Sequence, residues 1–91
     1  AWENRGLSLS ALGRYEEAIA SYDRSIAIKP DDASAFYNKA CCYGLQNQVE
    51  LAVDFLQQAI ELDPQCKDMA KTDTDFELIR GSDRFQALIE H

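Results

Sequence analysis

Glycine and proline are scarce in this 91-residue chain, which has four glycines, two prolines, and only two residues each of valine and threonine. Collagen-like chains need far more glycine and proline, and β-sheet proteins favour the β-branched residues that are rare here. The hydrophobic share is 46%, which suffices for a modest core in a single domain of this length. The composition therefore predicts one helical domain.

Positively charged residues are also few. The formal net charge is −7, and the nine Lys and Arg residues never form a run. An acidic surface without a basic patch repels phosphate backbones and anionic lipid headgroups. No apolar stretch of the sequence approaches the roughly 18 residues that a membrane-spanning helix needs. We therefore expect neither a nucleic-acid partner nor a membrane partner.

Residues that could build a metal, cofactor or catalytic site are few and poorly spaced. The single histidine is the terminal His91, and Cys41, Cys42 and Cys66 form no C-x-x-C pair. Neighbouring cysteines rarely bridge each other, and the odd total argues against a disulfide framework. The sequence shows no nucleophile with a base, no paired-carboxylate site and no phosphate loop. We predict that the chain is not an enzyme, holds no metal or cofactor, and works in the reducing cytoplasm.

The chain repeats itself at a lag of 34 residues. Six identities share this lag: Ala1 with Ala35, Asn4 with Asn38, Glu16 with Glu50, Ala18 with Ala52, Ile26 with Ile60, and Pro30 with Pro64. Conservative pairs such as Trp2 with Phe36 follow the same lag. A fixed period between 20 and 50 residues is typical of a repeat architecture.

Each unit is predicted to form two helices joined by a tight turn, because its apolar residues recur at helical spacing. Gly13 is placed to end the first helix in a left-handed conformation, and Asn47 takes that position in the second unit. Asp31 or Asp32 can cap the first helix of the second unit. The predicted helices of that unit cover residues 33–46 and 49–62.

This pattern resembles the tetratricopeptide repeat, in which aromatic, small and proline residues recur at fixed positions of a helical hairpin. The first unit supplies Trp2, Gly6, Gly13, Tyr15, Ala18, Tyr22, Ser25 and Pro30. The second unit supplies Phe36, Ala40, Tyr43, Asn47, Val49, Ala52, Leu56, Ala59 and Pro64. The resemblance implies an all-α fold, a right-handed α-α superhelix with repeats over residues 1–32 and 33–66. Trp2 and Phe36 are expected to fill the spaces between helices.

Residues 67–91 do not continue the repeat and are predicted to form C-terminal capping helices. The run from Thr74 to Glu77 is interpreted as a capping box, Gly81 as a helix stop, and Ser82 as the cap of a last helix. One apolar face of this last helix is expected to cover the end of the repeats, and it consists of Phe85, Leu88 and Ile89.

The amino-acid sequence of this tail is similar to that of tails that follow the last repeat in bacterial members of the family. We therefore expect this chain to be a tetratricopeptide repeat protein of the bacterial type. Ala1 falls at the third position of a repeat, which suggests that the sequence begins inside a longer protein and ends near its natural terminus. The first hairpin would then present an open face at its N-terminal side.

The resemblance also implies that the first helices of successive repeats line a concave groove that holds a partner. Counted onto this chain, the groove positions are Glu3, Asn4, Leu7, Ser10 and Ala11, then Ser34, Tyr37, Asn38, Cys41, Gly44 and Leu45. An Asn side chain donates and accepts, which suits a peptide backbone, and Tyr37 offers an apolar face with a polar tip. The alternative is that Asn4 and Asn38 only bond to a neighbouring helix. Its groove position makes Cys41 the more reactive of the adjacent thiols.

The groove chemistry favours a neutral or basic protein segment. Family members that hold the C-terminal carboxylate of chaperones use Lys, Asn and Arg in the groove, and only Asn38 matches here. Glu3 and Asp68 stand where lysines would be, so an anionic terminus would meet carboxylates. We therefore predict a protein-interaction scaffold that binds a peptide segment in its groove. The alternatives are a structural spacer or end-cap of a longer array, or a homo-oligomer formed through the open N-terminal face.

Overall fold

The structure is a computed structural model that describes residues 2–90, so Ala1 and His91, at the two ends of the predicted segments, lie outside the described residues. The described chain is helical and forms α1 (Trp2–Ala11), α2 (Tyr15–Ile28), α3 (Ala33–Leu45), α4 (Val49–Leu62), α5 (Gln65–Thr72), a 3-10 helix (Thr74–Ile79) and α6 (Asp83–Glu90). Two antiparallel pairs, α1 with α2 and α3 with α4, are followed by the shorter tail helices. The all-α helical-repeat fold predicted from the sequence is confirmed.

The turns inside the two hairpins follow the repeat. Gly13 has a φ of 80° and Asn47 a φ of 59°, so both adopt the predicted left-handed conformation. In each hairpin, the residue directly after this glycine or asparagine donates its N–H to the carbonyl oxygen of the residue five positions before it, at 2.9 Å. This hydrogen bond closes the C-terminal end of the first helix of the hairpin. Of the two candidate N-caps of α3, Asp32 is the one observed. Its side chain accepts a hydrogen bond from the N–H of Ala35 at 3.4 Å.

Small residues bring the helices of each hairpin together. Ala18, Ala40 and Ala52 are completely buried, which lets the helix backbones approach closely. Gly6 permits a still closer contact, because a Cβ at this position would lie 2.5 Å from the ring of Tyr22.

The two aromatic residues expected between helices behave differently. Phe36 is half-buried and stacks on Phe55 with the ring centroids 6.5 Å apart. Trp2 is 37% exposed, so the prediction that it fills an interior space is wrong. The reason is that no helix among residues 2–90 packs over Trp2 in the way that α2 packs on α3.

The tail begins with α5 directly after Pro64 and differs from the predicted capping pattern. The residue that caps the 3-10 helix is Asp73, whose side chain accepts from the N–H of Asp75 at 2.9 Å, so the capping box at Thr74 is wrong. An Asp side chain readily bonds the backbone two residues ahead, and this local turn outcompetes the Thr74 cap. The 3-10 helix ends at Ile79 with Arg80 as its C-cap, so the predicted stop residue Gly81 directly follows the cap.

The apolar face of α6 packs as predicted. Phe85 is completely buried in the main core, and Leu88 and Ile89 pack against that core as half-buried residues. Arg80 holds the preceding turn in place, because its guanidinium donates to the carbonyls of Lys71 at 2.7 Å and Asp73 at 2.6 Å. The tail therefore closes the free side of the second hairpin.

Candidate functional site

The predicted groove positions fall into an open group and a covered group. On α1, Glu3 is half-buried and Asn4 and Leu7 are exposed, with Leu7 at 48%. The remaining open positions are Ser10 and Ala11 on α1 and Ser34, Asn38 and Leu45 on α3. The covered positions are Tyr37, Cys41 and Gly44, all buried. We call the open group the α1–α3 strip.

The covered positions lie beneath residues 73–79 of the same chain, which we call the 73–79 segment. Tyr37 donates its hydroxyl hydrogen to a carboxylate oxygen of Asp73 at 2.7 Å. The edge of its ring meets the ring of Phe76, with the centroids 5.8 Å apart and the planes at 84°. A Cβ added to Gly44 would lie 3.0 Å from the carbonyl oxygen of Asp75 and 3.0 Å from the Phe76 ring. The chain thus fills part of its own predicted groove.

The thiols in this region are unsuited to reaction. Burial, followed by the nearby carboxylates of Asp73 and Asp75, raises the pKa of Cys41 far above its ordinary value. Burial also raises the pKa values of Cys42 and Cys66. Nucleophilic chemistry needs the thiolate, which these surroundings disfavour. The expectation that Cys41 is the reactive member of the pair is therefore wrong.

Cys41, Asp73 and Asp75 also bring three possible metal-ligating atoms within 4.8 Å of one another. The carboxylate of Asp73 already accepts from Tyr37 and from the N–H of Asp75, and the Cys41 sulfur lies 4.0 Å from it. Burial, with the charge of Asp73 next, raises the pKa of Asp75. A metal would need the deprotonated thiol, so these contacts are better explained as packing of the tail on α3.

Within the α1–α3 strip, a polar contact between Glu3 and Asn38 joins the two helices. The amide of Asn38 donates to a carboxylate oxygen of Glu3 at 3.3 Å, so Asn38 makes the bond to a neighbouring helix that was the alternative to a groove role. Burial, and then the neighbouring carboxylate of Asp32, raise the pKa of Glu3, while Lys29 opposes them. The part of this shift that comes from Asp32 reflects a second carboxylate close to Glu3. This part of the strip offers acceptors and negative charge to a ligand.

The residues that cover the groove, chiefly Asp73 and Phe76, were not predicted to do so from the sequence. One signal was present, because Phe76 is the only aromatic residue between Phe55 and Phe85 and follows an Asp-rich turn. An aromatic residue at that place in a tail needs a pocket in the core.

No helix within residues 2–90 is long and apolar enough to cross a membrane.

Comparisons with known proteins agree with the fold. A family profile described as tetratricopeptide repeat matches residues 1–65. The chain is 35% identical over 88 residues to a protein of Arabidopsis thaliana that is named as chloroplastic, and the match covers 93% of this chain and 26% of that protein. It is 37% identical over 60 residues to Tetratricopeptide repeat protein 36 of Caenorhabditis elegans, which covers 66% of this chain and 34% of that protein.

A third relative, Sperm-associated antigen 1 of Mus musculus, is 28% identical over 71 residues, which is 78% of this chain and 8% of that protein. The chain thus spans about a third or less of the length of these relatives. All three are eukaryotic and give no support to the bacterial type expected from the tail. The family match covers well over half of the sequence. The chain therefore belongs to the tetratricopeptide repeat family, whose modules generally mediate protein–protein interactions and are generally non-catalytic scaffolds.

Proposed function

We propose that this chain binds a peptide segment of a partner protein along the α1–α3 strip, with repeats over 1–32 and 33–66 as the binding unit and 67–91 as the cap. The observation that carries the proposal is the exposed Leu7 beside Glu3 and Asn38, whose mutual contact uses one N–H of the Asn38 amide and leaves its other N–H and its carbonyl oxygen for a ligand. Such a strip offers a peptide both polar partners and apolar surface.

The partner segment is proposed to be neutral or basic. Glu3 contributes a carboxylate whose pKa is raised by burial and by Asp32, so a cationic side chain beside it would relieve repulsion. An acidic segment would add to that repulsion. The net charge of −7 extends the preference to long range, because it attracts basic segments during diffusional encounter.

A selection from a phage-displayed library of random peptides tests both points. The selected peptides are expected to be neutral or basic, and Asn38→Ala is expected to weaken their binding by about 1 to 3 kcal/mol because a polar group of the peptide loses its partner. Gln57→Ala is the matched control, since this exposed amide on α4 lies off the strip. Equal affinities for the wild type and Asn38→Ala, with intact circular dichroism, would remove the strip as the binding surface.

The salt dependence of the association rate tests whether charge contributes to peptide binding. Raising the ionic strength should slow association of a basic peptide, because surface charges are screened beyond about 8 to 10 Å. Association that is equally fast at low and high salt would show that the carboxylates play no part in recruitment.

An end-cap of a longer array is the second candidate, and the 73–79 segment favours it. This segment buries Tyr37, Cys41 and Gly44, so the side of α3 on which a further repeat could pack is closed. The test is the same selection, because an end-cap without a groove ligand should yield no peptide that depends on Asn38.

The compartment is proposed on chemical grounds alone. Cys41, Cys42 and Cys66 are buried and form no disulfide, which suits a reducing compartment such as the cytoplasm. The name of the Arabidopsis thaliana relative places that protein in the chloroplast, which is also a compartment to test. Imaging of the protein with a fluorescent tag in cells would decide between them.

A further inference from the structure

Thr74 carries an exposed hydroxyl on a segment that is anchored in the core. It is the first residue of the 3-10 helix, and Phe76 two residues later is completely buried. Asp73 and Asp75 flank Thr74 directly, and Glu77 follows three residues after it. A hydroxyl surrounded by carboxylates suits a protein kinase whose substrate groove is basic, because the two charge patterns are complementary.

The start of the 73–79 segment is held by Asp73. One oxygen of its carboxylate accepts from the hydroxyl of Tyr37 at 2.7 Å, and the other accepts from the N–H of Asp75 at 2.9 Å. Its backbone carbonyl accepts from the N–H of Phe76 at 3.2 Å. These two N–H groups are therefore already taken, so a further anion at position 74 gains no hydrogen bond from them unless it displaces Asp73.

The charges around Thr74 would oppose a phosphate on its hydroxyl. Asp73 and Asp75 already repel each other, since the charge of Asp73 adds to the effect of burial in raising the pKa of Asp75. The two cations within six residues are engaged: Lys71 is in an ion pair on α5 at 3.4 Å, and Arg80 donates to the carbonyls that hold the turn. Drawing Arg80 to a phosphate would break these bonds, so attraction and repulsion both loosen the segment.

We propose that Thr74 is a phosphorylation site for a protein kinase that selects acidic sequences, and that its phosphate releases the 73–79 segment from α3. In the reaction the Thr74 hydroxyl oxygen attacks the γ-phosphorus of a nucleoside triphosphate. The new P–O bond forms as the bond to the β-phosphate oxygen breaks, the hydroxyl proton passes to a base of the kinase, and the nucleoside diphosphate leaves. The phosphate then carries a charge of roughly −1.5 to −2 at pH 7.

Release of the segment would change the surface that the protein offers to partners. It would uncover Tyr37, Cys41 and Gly44, which lie beneath the segment in the unmodified chain. The open surface would then extend from the α1–α3 strip to the far side of α3. The inference concerns the tail alone and does not rest on peptide binding to the strip.

The sequence allows a phosphate to be placed on Thr74 alone in the full-length chain. A synthetic peptide of residues 66–91 with phosphothreonine at position 74 begins with Cys66. An N-terminal cysteine can be joined by native chemical ligation to a thioester of residues 1–65. The same ligation without the phosphate gives the reference chain.

Alkylation of Cys41 by iodoacetamide, located by mass spectrometry, reports release of the segment. The Cys41 sulfur is buried and lies 4.0 Å from the Asp73 carboxylate. The phosphate on Thr74 should speed its alkylation about tenfold, which corresponds to a shift of about 1.4 kcal/mol in the local opening. Cys42 is the internal control, because it is buried in the core of the first hairpin and should react no faster. High salt should reduce the difference, since it screens repulsion between surface charges.

Two further experiments make the test specific. Ala87→phosphoserine is the matched control, because it adds the same charge at an exposed position of α6 and should leave the alkylation of Cys41 unchanged. Separately, the unmodified chain is incubated with ATP, magnesium and a kinase that prefers acidic substrates. Phosphate should appear on Thr74, and Thr74→Val should remove it.

Several outcomes would overturn the proposal. A chain that gains no phosphate from the kinase, or gains it only on Thr72, would exclude the site. Equal alkylation of Cys41 with and without phosphate on Thr74 would exclude release of the segment. Equal acceleration by the phosphate at position 87 would show a general effect of charge, and equally fast alkylation of Cys42 would show unfolding of the whole chain in place of local release.

Discussion

Truncation of Phe76 should destabilise the protein strongly, because its ring joins the tail to the second hairpin. The ring is fully buried, with its centroid 5.8 Å from that of Tyr37 and 5.3 Å from that of Phe85. Replacing a buried Phe by Ala costs roughly 3 to 5 kcal/mol through lost transfer energy and the cavity that remains. A chain of 91 residues has a total stability of about 5 to 13 kcal/mol. Phe76→Ala should therefore remove a large part of it.

The assay is thermal and urea unfolding followed by circular dichroism. At about 4 to 8 °C per kcal/mol, Phe76→Ala should lower the melting temperature by roughly 12 to 40 °C. Leu78→Ala is the matched control, since Leu78 lies in the same 3-10 helix but is 65% exposed and should change stability by less than about 0.5 kcal/mol. Equal melting temperatures for the two variants would refute the claim that the 73–79 segment is anchored in the core.

Two further changes test the same region. Gly44→Ala should cost roughly 1 to 3 kcal/mol in urea unfolding, because the added Cβ would meet the Asp75 carbonyl and the Phe76 ring at 3.0 Å; an unchanged unfolding midpoint would show that the segment yields freely. Asp75→Asn should be more stable than the wild type at pH 7. Burial and the charge of Asp73 raise the pKa of Asp75 above its ordinary 3.8, so the folded state binds this proton more tightly than the unfolded state does. The wild type should therefore gain stability as the pH falls. The difference between the two chains should shrink toward pH 4, and a difference that grows there would contradict the assigned sign.

The hairpins could be predicted from the sequence because their determinants are local and repeated. Gly13 and Asn47 mark the turns through their left-handed backbones, and α4 covers the predicted residues 49–62. The small residues at a fixed period select the helix contacts. Each of these signals occurs twice at the same spacing, which separates it from chance.

The tail and the groove could not be predicted to the same depth, because they depend on contacts between distant parts of the chain. Asp73 and Tyr37 are 36 residues apart, and no period connects them. The capping-box pattern at Thr74 was overridden by an Asp turn one residue earlier. Family positions indicated the groove surface of α3, but only the structure shows that Phe76 covers part of it.

The central claim is that a peptide binds the α1–α3 strip while the 73–79 segment stays in place. An NMR titration of the ¹⁵N-labelled chain with a selected peptide tests this most directly, since each backbone amide reports its own surroundings. We expect the amide signals of Asn4, Leu7 and Asn38 to shift, while those of Asp75 and Phe76 stay nearly constant. Shifts concentrated on Asp75 and Phe76, with the strip unchanged, would show that the ligand displaces the tail and would contradict this binding mode.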